Sequence, residues 1–139
     1  MEPRGSRRSF WIRPAAAFLT LFGLLTLKEG GSVLVGQPEA LASAGAYVPF
    51  VVWFNTFSGL AYVVVAVGLW RQERWAGWAA VVTAAAIILV FAAFAVHIAT
   101  GGAYEMRTVG AMVLRSAVWI GVAILACRHF GCRFGRAPT

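Results

Sequence analysis

The stretch Val81-Val-Thr-Ala-Ala-Ala-Ile-Ile-Leu-Val90 decides the fold, because a helix of these residues would be apolar on every face. Backbone N–H and C=O groups in lipid must be hydrogen-bonded within the chain, so a segment of this kind is expected to be helical. The apolar run around it extends from about residue 75 to residue 100 and contains no Lys, Arg, Asp or Glu. About 20 helical residues cross a bilayer core, so this run is long enough to span a membrane.

Three more apolar runs, at about 14–35, 48–70 and 108–127, predict three further membrane-spanning helices. The 139-residue chain is 60% hydrophobic, against roughly 45–50% in a soluble protein. Short connectors between long apolar helices favour antiparallel neighbours. We therefore predict an all-α integral membrane protein, a four-helix up-down-up-down bundle that forms a single transmembrane domain over residues 1–139. The four spans leave no room for a soluble catalytic domain.

The first run is less regular than the others, because Lys28-Glu29-Gly30-Gly31 interrupts it. The two glycines are candidates for the end of this helix or for a bend in it. The following Gln37-Pro38-Glu39 has a proline and an acidic residue where the first turn of a helix favours them. This pattern predicts a short helix that lies along the outer surface after the first span.

Basic residues predict the orientation of the bundle, because cytoplasmic segments of membrane proteins are enriched in arginine and lysine. The tails 1–13 and 128–139 and the second connector carry nine of them, whereas the first and third connectors carry two. The nine are Arg4, Arg7, Arg8, Arg13, Arg71, Arg74, Arg128, Arg133 and Arg136, and the two are Lys28 and Arg107. We therefore expect both tails in the cytoplasm. The net charge of +7 is explained by anionic lipid headgroups, and we expect no nucleic-acid partner.

A cleaved export signal is the alternative interpretation of the N-terminal region. Ser6-Arg7-Arg8-Ser9-Phe10-Trp11 is similar to the start of a twin-arginine signal, and Ala42-Ser43-Ala44 is similar to a cleavage site. The apolar stretch between them is long for a signal and is interrupted by Lys28-Glu29. We favour an uncleaved first span, and the removal of residues 1–44 stays open.

Polar side chains are energetically unfavourable inside a membrane, so each is a candidate for a functional site. Asn55 lies roughly 10 Å and Arg115 roughly 12 Å inside the outer ends of their helices, at 1.5 Å per residue. All four helices place a polar group in this outer half, and the inner half has far fewer. The candidate ligand-binding cluster is Lys28, Glu29, Asn55, His97, Glu105, Arg107 and Arg115.

Two interpretations of this cluster are open. In the first, which we favour, the polar groups are structural: Arg115 pairs with Glu29 or Glu105 or reaches the headgroups, and Asn55 bonds across helices. In the second they form a pocket for a lipid headgroup, a quinone head or a small anion. His97 could relay protons, but a single histidine is a poor metal site and is more often an interfacial residue.

Two cysteines and a histidine lie at the inner end of the fourth helix, in Cys127-Arg-His129-Phe-Gly-Cys132. A metal site would need a second pair of ligands, and the sequence has none with suitable spacing. In a reducing cytoplasm the cysteines are expected to be free thiols. We therefore predict no metal site, and no cofactor can be assigned.

The region from Gly23 to His97 resembles the DoxX-like group of small bacterial four-helix membrane proteins. The resemblance rests on Gly23-Leu-Leu-Thr-Leu-Lys28, on Val67-Gly-Leu-Trp70, on the connector Arg71-Gln-Glu-Arg74 before Trp75-Ala76, and on His97 near the end of the third helix. It implies the same bundle in a bacterial inner membrane and a possible partner protein. It assigns no catalytic residue.

The chain contains no Ser/His/Asp, P-loop or Gly-x-Gly-x-x-Gly pattern that would indicate a known catalytic machinery. We therefore expect an accessory or assembly component of a membrane complex, in contact with lipids and with a membrane protein partner or a second copy of itself. A lipid- or quinone-binding membrane enzyme and a small oligomeric transporter are the alternatives. A transporter needs a polar path through the inner half, where the sequence provides almost none.

Overall fold

The computed structural model describes residues 5–132, and this part of the chain contains five helices and no strand. The helices are α1 (Gly5–Leu34), α2 (Pro38–Ala44), α3 (Pro49–Trp70), α4 (Trp75–Ala99) and α5 (Met106–Phe130). Four segments are long and apolar enough to cross a membrane, namely Phe10–Leu34, Pro49–Trp70, Trp75–Ala99 and Met106–Phe130. The predicted all-α fold with four membrane spans is confirmed. Residues 1–4 and 133–139 of the predicted tails lie outside the described residues.

The observed ends of α3 and α4 lie within one residue of the predicted runs 48–70 and 75–100. The α5 helix is longer at both ends than the predicted 108–127, and α1 begins at Gly5 rather than at residue 14. Apolar patterning shows which residues suit lipid, but helical hydrogen bonding can continue past the lipid boundary. Pro14 lies inside α1, where it removes one backbone hydrogen bond without ending the helix.

The α1 helix also continues through Gly30 and Gly31 to Leu34. A Cβ atom at Gly30 would overlap the side chain of Thr56 on α3, whereas a Cβ atom at Gly31 would meet open space. Gly30 therefore allows close helix packing and does not end the helix. The short helix predicted after the first span is α2, which begins at Pro38 with Gln37 as its N-cap residue.

The four long helices form a ring in the order α1, α3, α4, α5. The α1–α3 pair has the most extensive contact, followed by α4–α5, α3–α4 and, far weaker, α1–α5. Gly23 and Gly59 bring α1 and α3 together: a Cβ atom at Gly23 would lie 2.9 Å from the carbonyl oxygen of Gly59. Small residues allow helix backbones to approach in lipid, where there is no hydrophobic driving force between helices.

The core between the helices consists of a few large side chains and a face of small ones. Tyr62 and Trp119 are fully buried and their ring centroids lie 4.7 Å apart. On α4 the buried positions toward its start are small, namely Ala76, Gly77, Ala80 and Ala84.

The two ends of the bundle differ in their chemistry. We call the end that carries α2 and the α4–α5 connector the α2 end, and the opposite end, with the α3–α4 connector and the last turn of α5, the terminal end. At the terminal end Cys127 and Cys132 form a disulfide, with Cα atoms 4.6 Å apart, so the prediction of free thiols is wrong. The turn at Gly131, where φ is 71°, brings the two residues together after the helix ends. Also at this end, Nε2 of His129 lies 2.6 Å from Oε1 of Gln72.

Candidate functional site

The α2 end contains an open cavity of about 330 Å³. Its walls are the last two turns of α1, the first turns of α3 and the first half of α5, and α2 lies at its mouth through Ala40, Ser43 and Ala44. No residue of α4 lines it. This volume is at the lower end of the range for small-molecule sites, which is roughly 300–1,000 Å³.

Six of the seven polar residues selected from the sequence line this cavity. They come from three helices and the α4–α5 connector. Lys28, Glu29 and Arg107 are exposed, whereas Asn55, Glu105 and Arg115 are partly buried. The residues brought together are Lys28, Glu29, Asn55, Glu105, Arg107 and Arg115.

Arg115 has the most unusual environment of the six. Its Nε atom is buried and has no hydrogen-bond partner within the described chain. Glu29 and Tyr62 act on the guanidinium electrostatically, but no ion pair joins Arg115 to a carboxylate in residues 5–132. The structural interpretation, in which Arg115 pairs with Glu29 or Glu105, therefore has no supporting contact. Arg115 is nevertheless a residue of the cavity wall.

Asn55 contributes a second buried polar atom without a partner. Its side-chain oxygen Oδ1 accepts no hydrogen bond from the described residues, so it does not take part in the cross-helix bonding predicted for it. Its backbone carbonyl accepts a hydrogen bond of 2.9 Å from the hydroxyl of Ser58. Asn55 lines the cavity from α3, and Arg115 lines it from α5.

Glu105 has a different and structural role. Its Oε1 atom accepts a hydrogen bond of 2.9 Å from the backbone N–H of Ala46 in the α2–α3 connector. Gly45 has a φ of 59°, and a Cβ atom there would overlap the Glu105 carboxylate. The contact ties the connector to the start of α5, so one of the two carboxylates at the cavity is already engaged.

The charges at the cavity favour an anionic ligand. The lining contains three cationic side chains, Lys28, Arg107 and Arg115, and two carboxylates, Glu29 and Glu105. The hydrogen bond from the Ala46 N–H leaves the charge of Glu105 in place, so three cations face two carboxylates. The apolar part of the wall is small and β-branched, for example Val48, Val51 and Val52.

His97 does not line the cavity, and neither does any other residue of α4. Its Nε2 atom lies 3.0 Å from the carbonyl oxygen of Ala103, and a Cβ atom at Gly102 would overlap its ring. The ring also packs near Phe50 and Phe94, at centroid distances of 6.2 Å and 6.5 Å. These contacts explain His97 as a residue that shapes the α4–α5 connector.

Several lining residues were not selected from the sequence. Thr26 is buried, and its hydroxyl donates a 2.8 Å hydrogen bond to the carbonyl of Phe22 in its own helix. Because a threonine in an apolar helix can satisfy its hydroxyl in this way, the sequence did not indicate Thr26 as a site residue. Thr26 and Glu29 are three residues apart on one helix, and this spacing places both on one face. The others are Ser32, Ser43, Tyr47 and Thr108.

Beneath Arg115 the bundle interior closes toward the terminal end. Trp119 lies one helical turn further along α5, and it and Tyr62 are fully buried. The hydroxyls of Thr20, Thr83 and Ser116 donate to carbonyls of their own helices, at 2.8–2.9 Å. Tyr62 and Trp119 therefore form a floor beneath the cavity, and the buried Tyr62 hydroxyl and Trp119 Nε1 have no hydrogen-bond partner among the described residues.

Within residues 5–132 no group of three His, Cys, Asp or Glu side chains is placed to hold a metal ion. No family model, curated protein or solved structure matches this chain. Its class is therefore defined by its own fold and site: a multi-pass membrane protein of four spanning helices, with an open, cation-rich cavity near one end.

Proposed function

We propose that this protein binds a small anionic group, a phosphate or a carboxylate, in the cavity at the α2 end. The observation that carries the proposal is the buried Nε atom of Arg115, which has no hydrogen-bond partner and belongs to a residue of the cavity wall. A guanidinium presents a planar set of donors that matches the oxygens of a phosphate or carboxylate. An anion there would satisfy the arginine and balance the excess of cations.

The energetics support binding over a purely structural role. A buried polar group without a partner costs about 1–3 kcal/mol, and a charged group in the membrane interior costs more. Lys28 and Arg107 at the rim add a positive potential that attracts an anion toward the cavity. A quinone head offers neutral acceptors and leaves this charge unbalanced, so it fits the lining less well than an anion.

We further propose that the protein acts as an accessory component of a bacterial inner membrane, with both termini in the cytoplasm and the α2 end outside. The arginine-rich tails and the Arg71–Arg74 connector support this orientation. The Cys127–Cys132 disulfide at the terminal end does not support it, because disulfides are rare in a reducing cytoplasm. The closed floor beneath Arg115 favours binding over transport. The resemblance to the DoxX-like group supports the same setting and a membrane protein partner or a second copy of the chain.

The proposal is tested by titrating the purified protein in maltoside micelles with inorganic phosphate, using isothermal calorimetry. We expect saturable binding by the wild type and loss of binding by Arg115→Met, which keeps the side-chain length and removes the donors. Arg71→Met is the matched control, because Arg71 is exposed at the terminal end. No binding by the wild type, or equal binding by Arg115→Met, would overturn the proposal.

A further inference from the structure

The ring of four helices is loosest between α1 and α5. These neighbours contact each other far less than α1 contacts α3 or α4 contacts α5. At the α2 end the cavity lies between them, with Thr26, Glu29 and Val33 from α1 and Ala111 and Arg115 from α5 in its wall. We call the facing edges of residues 25–33 and 107–115 the α1–α5 seam.

The seam changes from charged to apolar along its length. Glu29 and Arg107 are exposed at its outer part. Leu25 is one turn further in than Glu29 and shares its face, and Leu114 is two turns further in than Arg107. The two leucines are 50% and 56% exposed. A charged opening above exposed aliphatic side chains matches a molecule with a polar head and hydrocarbon chains.

We infer that the ligand is a diacyl lipid with a phosphate headgroup, which enters sideways from the membrane through the α1–α5 seam. This inference rests on the proposed anion site. The phosphate oxygens accept hydrogen bonds from the Arg115 guanidinium inside the cavity, and the acyl chains stay in the bilayer against Leu25 and Leu114. Lys28 and Arg107 lie at the rim, where the headgroup passes.

The α2 helix covers part of the cavity mouth. Three residues of α2 line the cavity on that side, and the Glu105–Ala46 hydrogen bond fixes the connector that follows α2. On α5, Gly110 is three residues from Arg107 and four from Leu114, which places it on their face of the helix, and a Cβ atom there would meet nothing within 4 Å.

Two glycines of α5 provide a matched pair of variants. Gly110 and Gly121 are exposed helical positions with open space at their Cβ atoms, and they lie eleven residues, or about three turns, apart on one face. Gly110→Trp places a large side chain at the seam beside the cavity, whereas Gly121→Trp places the same side chain far from it. If Gly110→Trp does not fold, Gly110→Leu serves the same purpose.

The experiment counts bound molecules by native mass spectrometry in maltoside micelles, with dioleoyl phosphatidic acid, dioleoylglycerol and inorganic phosphate as probes. We expect the wild type to bind phosphatidic acid and not dioleoylglycerol, which has the same chains without the phosphate. Gly110→Trp should weaken phosphatidic acid binding about tenfold and leave calorimetric phosphate binding unchanged. Gly121→Trp should behave as the wild type with all three probes.

The outcomes that contradict the inference differ from those that contradict the proposed function. If the wild type binds inorganic phosphate but holds phosphatidic acid no better than dioleoylglycerol, the site takes a free anion and the inference is wrong. Equal phosphatidic acid binding by the two tryptophan variants rules out entry through the seam. If neither phosphate nor phosphatidic acid binds, the proposed anion site itself fails.

Discussion

Arg115→Met should stabilise the ligand-free protein. The substitution replaces the guanidinium by a thioether of similar length and removes the buried Nε–H, which has no partner in the described chain. An unsatisfied buried donor costs about 1–3 kcal/mol, so we expect the free energy of unfolding to rise by about 1–3 kcal/mol. If Arg115 were instead half of a buried ion pair, its removal would lower that free energy by about 3–5 kcal/mol.

A bound anion should reverse the order of stability of the wild type and Arg115→Met. The wild type gains stability from a ligand that binds the folded state, about 2.7 kcal/mol at a ligand concentration of 100 times Kd. Arg115→Met lacks the donors and gains none. We therefore expect Arg115→Met to be more stable than the wild type without phosphate, and the difference to vanish or change sign at saturating phosphate.

The assay is reversible unfolding in mixed micelles, followed by tryptophan fluorescence as the fraction of denaturing detergent increases, with and without inorganic phosphate. Arg71→Met controls for the loss of an exposed arginine, and its stability should match that of the wild type. A lower stability of Arg115→Met without phosphate would refute the reasoning and assign the arginine a structural role. An equal phosphate response in both proteins would refute the assignment of the site.

Three further predictions concern packing, the connector and the disulfide. Gly59→Ala should be less stable than Gly121→Ala by about 1–3 kcal/mol in the same unfolding assay, because the methyl group at residue 59 meets the backbone of α1 and the one at residue 121 meets open space; equal stabilities would contradict the close helix approach. His97→Ala should lower the free energy of unfolding by about 0.5–1.5 kcal/mol through the lost hydrogen bond to the connector and leave calorimetric phosphate binding unchanged, and a loss of binding would place the histidine in the site after all. Cys127 and Cys132 should react with maleimide only after treatment with a reductant, as intact mass measures, and labelling of the untreated protein would contradict the disulfide.

The sequence was sufficient for the fold class and for the positions of the spans along the chain. Lipid requires long apolar helices, and a composition such as that of residues 81–90 allows nothing else. The exact ends of α1 were not predictable from the same pattern. Whether Gly30 ends a helix depends on what lies opposite it, and the side chain of Thr56 is known to be there only from the packing of α1 on α3.

The directions in which the candidate site residues face were not predictable from the sequence. Rise along a helix predicts Asn55, His97 and Arg115 at similar distances from the outer ends of their helices. Which of them face one another depends on how each helix is rotated in the ring, and apolar spans without a hydrophilic face leave that rotation undetermined. The α5 helix turns Arg115 into the cavity, whereas α4 turns His97 toward its own connector.

The structural interpretation of Arg115, in which it pairs with Glu29 or Glu105, also depended on contacts that one sequence cannot supply. Glu105 was a suitable partner by charge and by depth, but its carboxylate accepts a hydrogen bond from the connector N–H of Ala46. A backbone N–H is present at every residue except proline, so the sequence does not show which one binds a carboxylate. The disulfide was missed for a related reason, because the turn at Gly131 brings Cys132 back to the helix end.

A buried arginine without a protein partner needs a physical explanation, since a methionine or leucine at residue 115 would pack in lipid at lower cost. In natural proteins, exceptions to the rule that buried polar groups have partners are most often found at functional sites. Five buried side-chain polar atoms have no partner among the described residues, and three of them belong to residues outside the cavity wall, namely Tyr62, Gln72 and Trp119. The other two, Nε of Arg115 and Oδ1 of Asn55, belong to residues that line the cavity from different helices, and one shared ligand would account for this pair.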